Sequence, residues 1–208
     1  MPIQTFGLER EFFLVKRLTP EITEPAMVPP TMPKDACGYL AEARSEPHAD
    51  PATAVCLLRA AELKLAKQAS DAGLLLDLQD TVELPKEFLR VALRTHGKGP
   101  AYSFFMNGKT YKHSMPRAGL HVHFGNVRTD EYVNRDIVAR RQVFCQLNIP
   151  RIIFLMDKYF KEEIKAAKRV AGEYEMKHHG FEYRSLPAAS TSMDKLMNVL
   201  DIIRKEGL

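Results

Sequence analysis

Hydrophobic and polar positions change period several times along this chain, and each change marks an element. The run TFGLEREFFLVKRL, residues 5–18, is rich in aromatic and aliphatic side chains and reads as a strand. Prolines at positions 20, 25, 29, 30 and 33 make the next stretch a loop, and CGYLAEARSE (37–46) reads as a second strand ending near Pro47. Asp50 then supplies an N-cap and Pro51 a first helical position. Leu58, Ala61, Leu65 and Ala69 recur at helical spacing and Gly73 suits the C-terminal cap, so residues 51–72 read as a helix. LLLDLQDTVELP (74–85) has room for a strand, and EFLRVALRTHG (87–97) reads as a short helix or strand. RAGLHVHFGNV (117–127) is a third strand, residues 130–147 read as helical, and a further helix opens at Pro150 and runs through Lys168. FEYRSLP (181–187) is a fourth strand, and Thr191 or Ser192 caps a last helix that buries Leu196, Val199, Leu200 and Ile203. Strands separated by helices of unequal length predict one α+β domain over residues 1–208, with a mainly antiparallel sheet.

The four strands share a second pattern. In a strand, residues i and i+2 point to the same face. Glu9 and Glu11 therefore share a face, as do Glu42 and Arg44, His121 and His123, and Glu182 and Arg184. Their immediate neighbours are apolar (Leu8, Phe12, Ala41, Ala43, Leu120, Val122, Phe124, Phe181, Tyr183), with Arg10 the one charged exception. If these strands lie in one curved sheet, its concave face gathers carboxylates, imidazoles and guanidinium groups. Carboxylates crowded in this way repel one another, and a divalent cation removes that penalty. Oxygen ligands with an occasional histidine suit Mg²⁺ or Mn²⁺, which leaves the arginines to meet an anion such as phosphate.

Composition sets wide bounds. The chain has 208 residues, 45% hydrophobic and 27% charged, as in ordinary globular proteins. No apolar run approaches the ~20 residues that cross a bilayer and no signal-peptide pattern opens the chain, so a cytoplasmic setting is expected. Cys37, Cys56 and Cys145 are odd in number and form no CxxC unit, which fits a reduced compartment. The net charge of +4 is spread out, and Arg140–Arg141 and Lys165 to Arg169 lack interleaved aromatics, so a nucleic-acid partner is only weakly supported.

Several motifs fall away. Gly108, Lys109 and Thr110 end like a P-loop, but Ser103 stands where its first glycine belongs. HVHFGN lacks the further Asp and His of an HxHxDH hydrolase, and Val127 and Arg128 stand where a cupin needs glutamate. His178 and His179 have no ligand spacing between them. A hydrolase that activates water on Zn²⁺ with the same His and Glu residues stays open, as does a non-catalytic nucleotide- or metal-binding relative.

The ordered set of strands resembles the carboxylate–amine ligase superfamily, which includes glutamine synthetase and glutamate–cysteine ligase. It is most similar to the small, often phage-encoded COOH–NH2 ligase type 2 branch. GLEREF resembles the opening GxExEF, EARSEPHADP the second acidic strand, MPRAGLHVHFGN the R-x-AGGHIHIG element, and HHGFEYRSLP the G-x-EYR element. LMDKYFKEEIKAAKRVAGEYEMK is similar to the helix and RRxxYGxAGxFR segment before EYR. Leu120 replaces the second glycine, and Lys168–Arg169 stands for the paired arginines. The resemblance implies a glutamine synthetase-like curved antiparallel sheet backed by helices, in the cytoplasm of a phage-infected bacterial host. It implies an ATP-dependent ligase that joins a small-molecule or peptide carboxylate to an amine through an acyl-phosphate, with Mg²⁺ or Mn²⁺. Glu9, Glu11, Glu42, His121 and Glu182 would be the metal ligands, with His123 beside the substrate or behind the ligands. Arg184, Arg44, Arg169 and Lys177 would contact the ATP phosphates and the acyl-phosphate.

Overall fold

The alternation in TFGLEREFFLVKR becomes a single strand, β1 (Thr5–Arg17), on which the rest of the sheet is assembled. The structure, a computed structural model, describes residues 3, 5–35, 38–82, 102–103, 110–111, 117–125, 148–177 and 180–208. The expected elements at 87–97 and 130–147, Gly108, Lys109, His178 and His179 lie outside these residues. The other strands are β2 (Thr23–Ala26), β3 (Leu40–Arg44), β4 (Leu75–Asp77), β5 (Tyr102–Ser103), β6 (Thr110–Tyr111), β7 (Gly119–Gly125), β8 (Tyr174–Lys177) and β9 (Gly180–Pro187). The helices are α1 (Pro51–Asp71), α2 (Ile149–Tyr159), α3 (Lys161–Ala166) and α4 (Met193–Lys205).

The main sheet runs β2-β1-β7-β9-β8, with β3 and β4 also paired to β1, and every pairing among the described residues is antiparallel. The fold is thus a mixed α/β arrangement with a mostly antiparallel, open sheet backed by helices. β2 had no counterpart in the sequence pattern, because it lies inside the proline-rich stretch. Its Pro25, opposite Val15 in β1, suits a short edge strand, where a missing N–H is tolerated.

One face of the sheet is packed on the helices. Phe6, Leu8, Phe12, Leu14, Ala41, Ala43, Leu120, Val122, Phe124, Phe181, Tyr183 and Leu186 join Leu58 and Leu65 of α1, Ile152 and Met156 of α2, and Leu196 and Leu200 of α4 in one buried cluster. Phe124 stacks on Phe181 at 4.8 Å and meets Phe6 edge-on at 5.9 Å. Arg10, the charged exception, also points to this face. It is buried, and its Nη1 donates to Glu62 Oε1 of α1 at 2.9 Å. Tyr183 carries a second polar link across the core, donating from its hydroxyl to Asp157 of α2 at 2.5 Å.

The helix ends follow their local chemistry. Asp50 accepts the Thr53 N–H at 2.9 Å as N-cap of α1. At the other end Gly73 takes φ +71°, and the N–H groups of Gly73 and Leu74 return to Ser70 and Ala69 in a Schellman closure. Ser192 caps α4 by accepting the Lys195 N–H. The helix expected from Pro150 through Lys168 is split. Phe160, fully buried, leaves helical geometry between α2 and α3, and the second piece ends at Ala166 before Lys168 takes φ +53°.

Candidate metal and anion site

The register of the sheet decides whether four sequence pairs make one site. Glu9 of β1 lies opposite Arg44 of β3 on one side and His121 of β7 on the other. Glu11 faces Glu42, and His123 faces Glu182 of β9. All eight paired residues therefore project from adjacent strands onto the face away from the helices. Five of them are buried as a core is, Glu9 at 7% exposed, Glu11 4%, Glu42 5%, His121 1% and Glu182 1%, whereas His123 and Arg184 are half-buried and Arg44 is exposed.

His121 is the hub. Its Nδ1 lies 3.1 Å from Glu9 Oε1 and 2.9 Å from Glu182 Oε1, while its Nε2 lies 3.8 Å from Glu11 Oε2. Arg44 Nε pairs with Glu9 Oε2 at 2.7 Å and its Nη2 with Glu42. Arg184 Nη1 pairs with Glu182 Oε1 at 2.5 Å, and Lys177 Nζ lies 2.8 Å from Glu182 Oε2. His123, more exposed than His121, has its Nε2 3.9 Å from Glu9 Oε2.

Proton affinities follow from this crowding. Burial raises the Glu42 carboxyl and the Glu9 charge raises it further, to about 8, with Arg44 only partly offsetting both. Burial also raises Glu11. Burial and Arg184 press His121 downward, but Glu11 and the hydrogen bonds to Glu182 and Glu9 outweigh them and bring it up to about 9. Against the upward push of burial, His121 and Arg44 hold Glu9 down at about 2, and His121 and Arg184 hold Glu182 low as well. Without a cation, the cluster is thus held together by bound protons and arginines.

Ligand atoms of Glu9, Glu11 and His121 all lie within 4.8 Å of one another, so this trio could hold a metal ion. Glycine makes the approach possible. The Gly119 N–H donates to Glu11 Oε2 at 2.6 Å, and a Cβ on Gly119 would stand 2.6 Å from His121 Nε2. A side chain there would displace the imidazole from the carboxylates. Gly180, at φ +147°, is needed for a related reason, since a Cβ would fall 2.1 Å from the Phe124 carbonyl oxygen.

Two site features were not read from the sequence. The first is strand β8. In GEYEMK, residues 172–177, Glu173, Glu175 and Lys177 alternate with Tyr174 and Met176, the same period-two signal as the other four strands. Glu175 pairs with Glu182 in register, and the Arg184 N–H donates to the Glu173 carbonyl, so β8 continues the charged face by one more strand. Glu173 is 4% exposed and its carboxyl is raised by burial, with Arg169, Arg184 and His121 countering. The second feature is a slip in the β7–β9 ladder between Leu120 and Val122, a bulge at Arg184–Ser185.

Of the expected anion contacts, Arg44, Arg184 and Lys177 reach the face through ion pairs with its carboxylates. Arg169 reaches it differently, donating from Nη1 to the Ala118 carbonyl at 3.1 Å and from Nη2 to the Arg184 carbonyl at 2.7 Å. Comparison with protein-family models, with curated proteins and with solved structures gives no match to this chain. Among the described residues, no helix is long and apolar enough to cross a membrane.

Proposed function

We propose that this chain is an ATP-dependent carboxylate–amine ligase of the glutamine synthetase-like kind, with the charged face of its sheet as the active site. One observation carries the reading: Glu9, Glu11, Glu42, Glu182 and His121 converge, nearly fully buried, with Arg44 and Arg184 paired to them on the same face. The ordered resemblance of the four strands to the COOH–NH2 ligase type 2 family supplies the reaction class.

The donor set fits a hard divalent cation, Mg²⁺ or Mn²⁺, with Glu9, Glu11 and His121 at its centre and Glu42 and Glu182 beside them. Such an ion would neutralise charge on the ATP phosphate oxygens. Glu9, Glu42 and Glu182 would give up their ion pairs to hold it, and His121 would give up a proton. Arg44 and Arg184 would then be released toward phosphoryl oxygens. A guanidinium offers two parallel N–H donors and stabilises charge on a transferring phosphoryl group. The substrate carboxylate, otherwise a poor electrophile, would take the γ-phosphoryl group with release of ADP. The amine nitrogen would then attack the acyl carbon, form the C–N bond, lose a proton and expel phosphate. His123 and Lys177, on the same face, would meet these substrates. The reaction requires no nucleic acid.

The test is a screen of pooled carboxylates and amines with ATP and Mg²⁺, following the nucleotide product. ADP and phosphate released only when both an acid and an amine are present is the expected result. AMP and pyrophosphate as the stoichiometric products, or metal-dependent hydrolysis of the pooled substrates without nucleotide turnover, would overturn the ligase reading.

A further inference from the structure

We propose that Arg169 is a positioning residue that locks β7 to the β9 bulge and so sets the spacing between the metal-holding and anion-facing parts of the site. The inference rests on the metal reading above. Arg169 lies just after α3, with its own N–H donated to the Ile164 carbonyl at 2.9 Å. Its guanidinium spans two strands, with Nη1 on the carbonyl of Ala118, immediately before β7, and Nη2 on the carbonyl of Arg184, inside the bulge. The slip in register interrupts regular pairing between β7 and β9 beside His121. A planar fork with fixed N–H directions bridges the two carbonyls at that point.

The same guanidinium sits against the metal trio's support. A Cβ on Gly119 would come within 3.0 Å of Arg169 Nη2 and 2.6 Å of His121 Nε2, so fork and imidazole close on one bare stretch of backbone. That stretch also donates to Glu11 through the Gly119 N–H. A reverse stitch comes from Arg117, whose Nη1 donates to the Lys168 carbonyl. Moving Arg169 would therefore loosen Glu11, His121 and the Arg184 backbone together. Lysine keeps the charge but cannot direct two fixed donors at two carbonyls.

Mn²⁺ titrations without nucleotide, read by the spin resonance of the free ion, separate this role from a phosphate contact. Arg169→Lys and Arg169→Ala should both weaken Mn²⁺ binding, by roughly ten- to a hundred-fold, the usual cost of losing a partner behind metal ligands. Guanidinium ion added at non-denaturing concentration should restore much of the affinity to Arg169→Ala. Hydrogen exchange gives an arm that needs no metal: the Gly119 amide should exchange faster in both variants while Val122 and Phe124 stay protected. If Arg169→Lys binds Mn²⁺ like the parent and keeps the Gly119 amide protected, the clamp is refuted. If the parent itself binds no Mn²⁺, the metal reading falls, and exchange at Gly119 alone upholds or refutes the clamp.

Discussion

The two faces of this sheet are made by alternate residues of the same strands, are buried to nearly the same degree, and are stabilised in opposite ways. Phe6, Leu8, Val122, Phe124, Phe181 and Tyr183 face the helices with 0–1% exposure, and Glu9, Glu11, Glu42, His121 and Glu182 face the other way with 1–7%. Burial on the first face removes apolar surface from water at a gain of about 25 cal/mol per Å². Burial on the second strips charges of hydration, a cost that ion pairing repays poorly. The helix-side face is where the fold gets its stability. The charged face is a standing electrostatic cost, which the proposed binding of a cation and phosphate would offset.

That contrast predicts the largest loss on the apolar side. Phe124→Ala removes a ring packed between Phe181 and Phe6 and should cost about 3–5 kcal/mol, measured by denaturant unfolding. A loss below about 1 kcal/mol would mean that this face is not the core.

Arg10 sharpens the comparison, because it is a charge on the apolar face. Its pair with Glu62 at 2.9 Å is largely buried, so Arg10→Met should destabilise by about 1–3 kcal/mol. Adding Glu62→Leu should recover most of that loss, since an apolar pair fits an apolar face. Failure of the second change to recover stability would show that Arg10 is there for more than its partner.

The charged face should instead show itself through pH. Glu42 and His121 are both shifted upward, to about 8 and about 9, so the folded protein keeps protons that the unfolded chain releases at ordinary values of 4.5 and 6.5. Their stabilising contribution is complete below those ordinary values and is lost as pH rises through the shifted ones. Metal-free protein should therefore lose stability steadily between about pH 6 and pH 9, and Mg²⁺ should stabilise it more at the higher pH, where fewer protons must be displaced. Thermal melts with chelator and with Mg²⁺ decide this; metal-free stability that rises over the interval would contradict the proton-held cluster.

The smallest stability change should come from a residue of the metal trio. Glu11→Gln keeps an oxygen for the Gly119 N–H and removes a buried charge, so stability should change by less than about 1 kcal/mol in either direction. Mn²⁺ affinity should nevertheless fall at least about tenfold. A large stability loss with Mn²⁺ binding intact would make Glu11 a structural residue.

Period-two alternation was enough to place β1, β3, β7 and β9 and to assign both faces, because side-chain direction in a strand is fixed by position parity alone. Capping residues and helical spacing likewise placed α1 and α4, since both are local chemistry. β8 carries the same signal in GEYEMK, but it is only four residues long and follows closely on the basic run 165–169, so the alternation does not stand out as a strand. The break at Phe160 was hidden because Ile152, Met156, Phe160 and Ile164 keep helical spacing straight through it. What only the tertiary structure decided is register. Parity says that Glu9 and His121 can share a face; the β1–β7 and β7–β9 pairings put them opposite each other and set His123 against Glu182. The bulge at Arg184–Ser185 and the two carbonyls held by Arg169 are likewise long-range facts, because each depends on how strands distant in sequence slide past one another before their hydrogen bonds close.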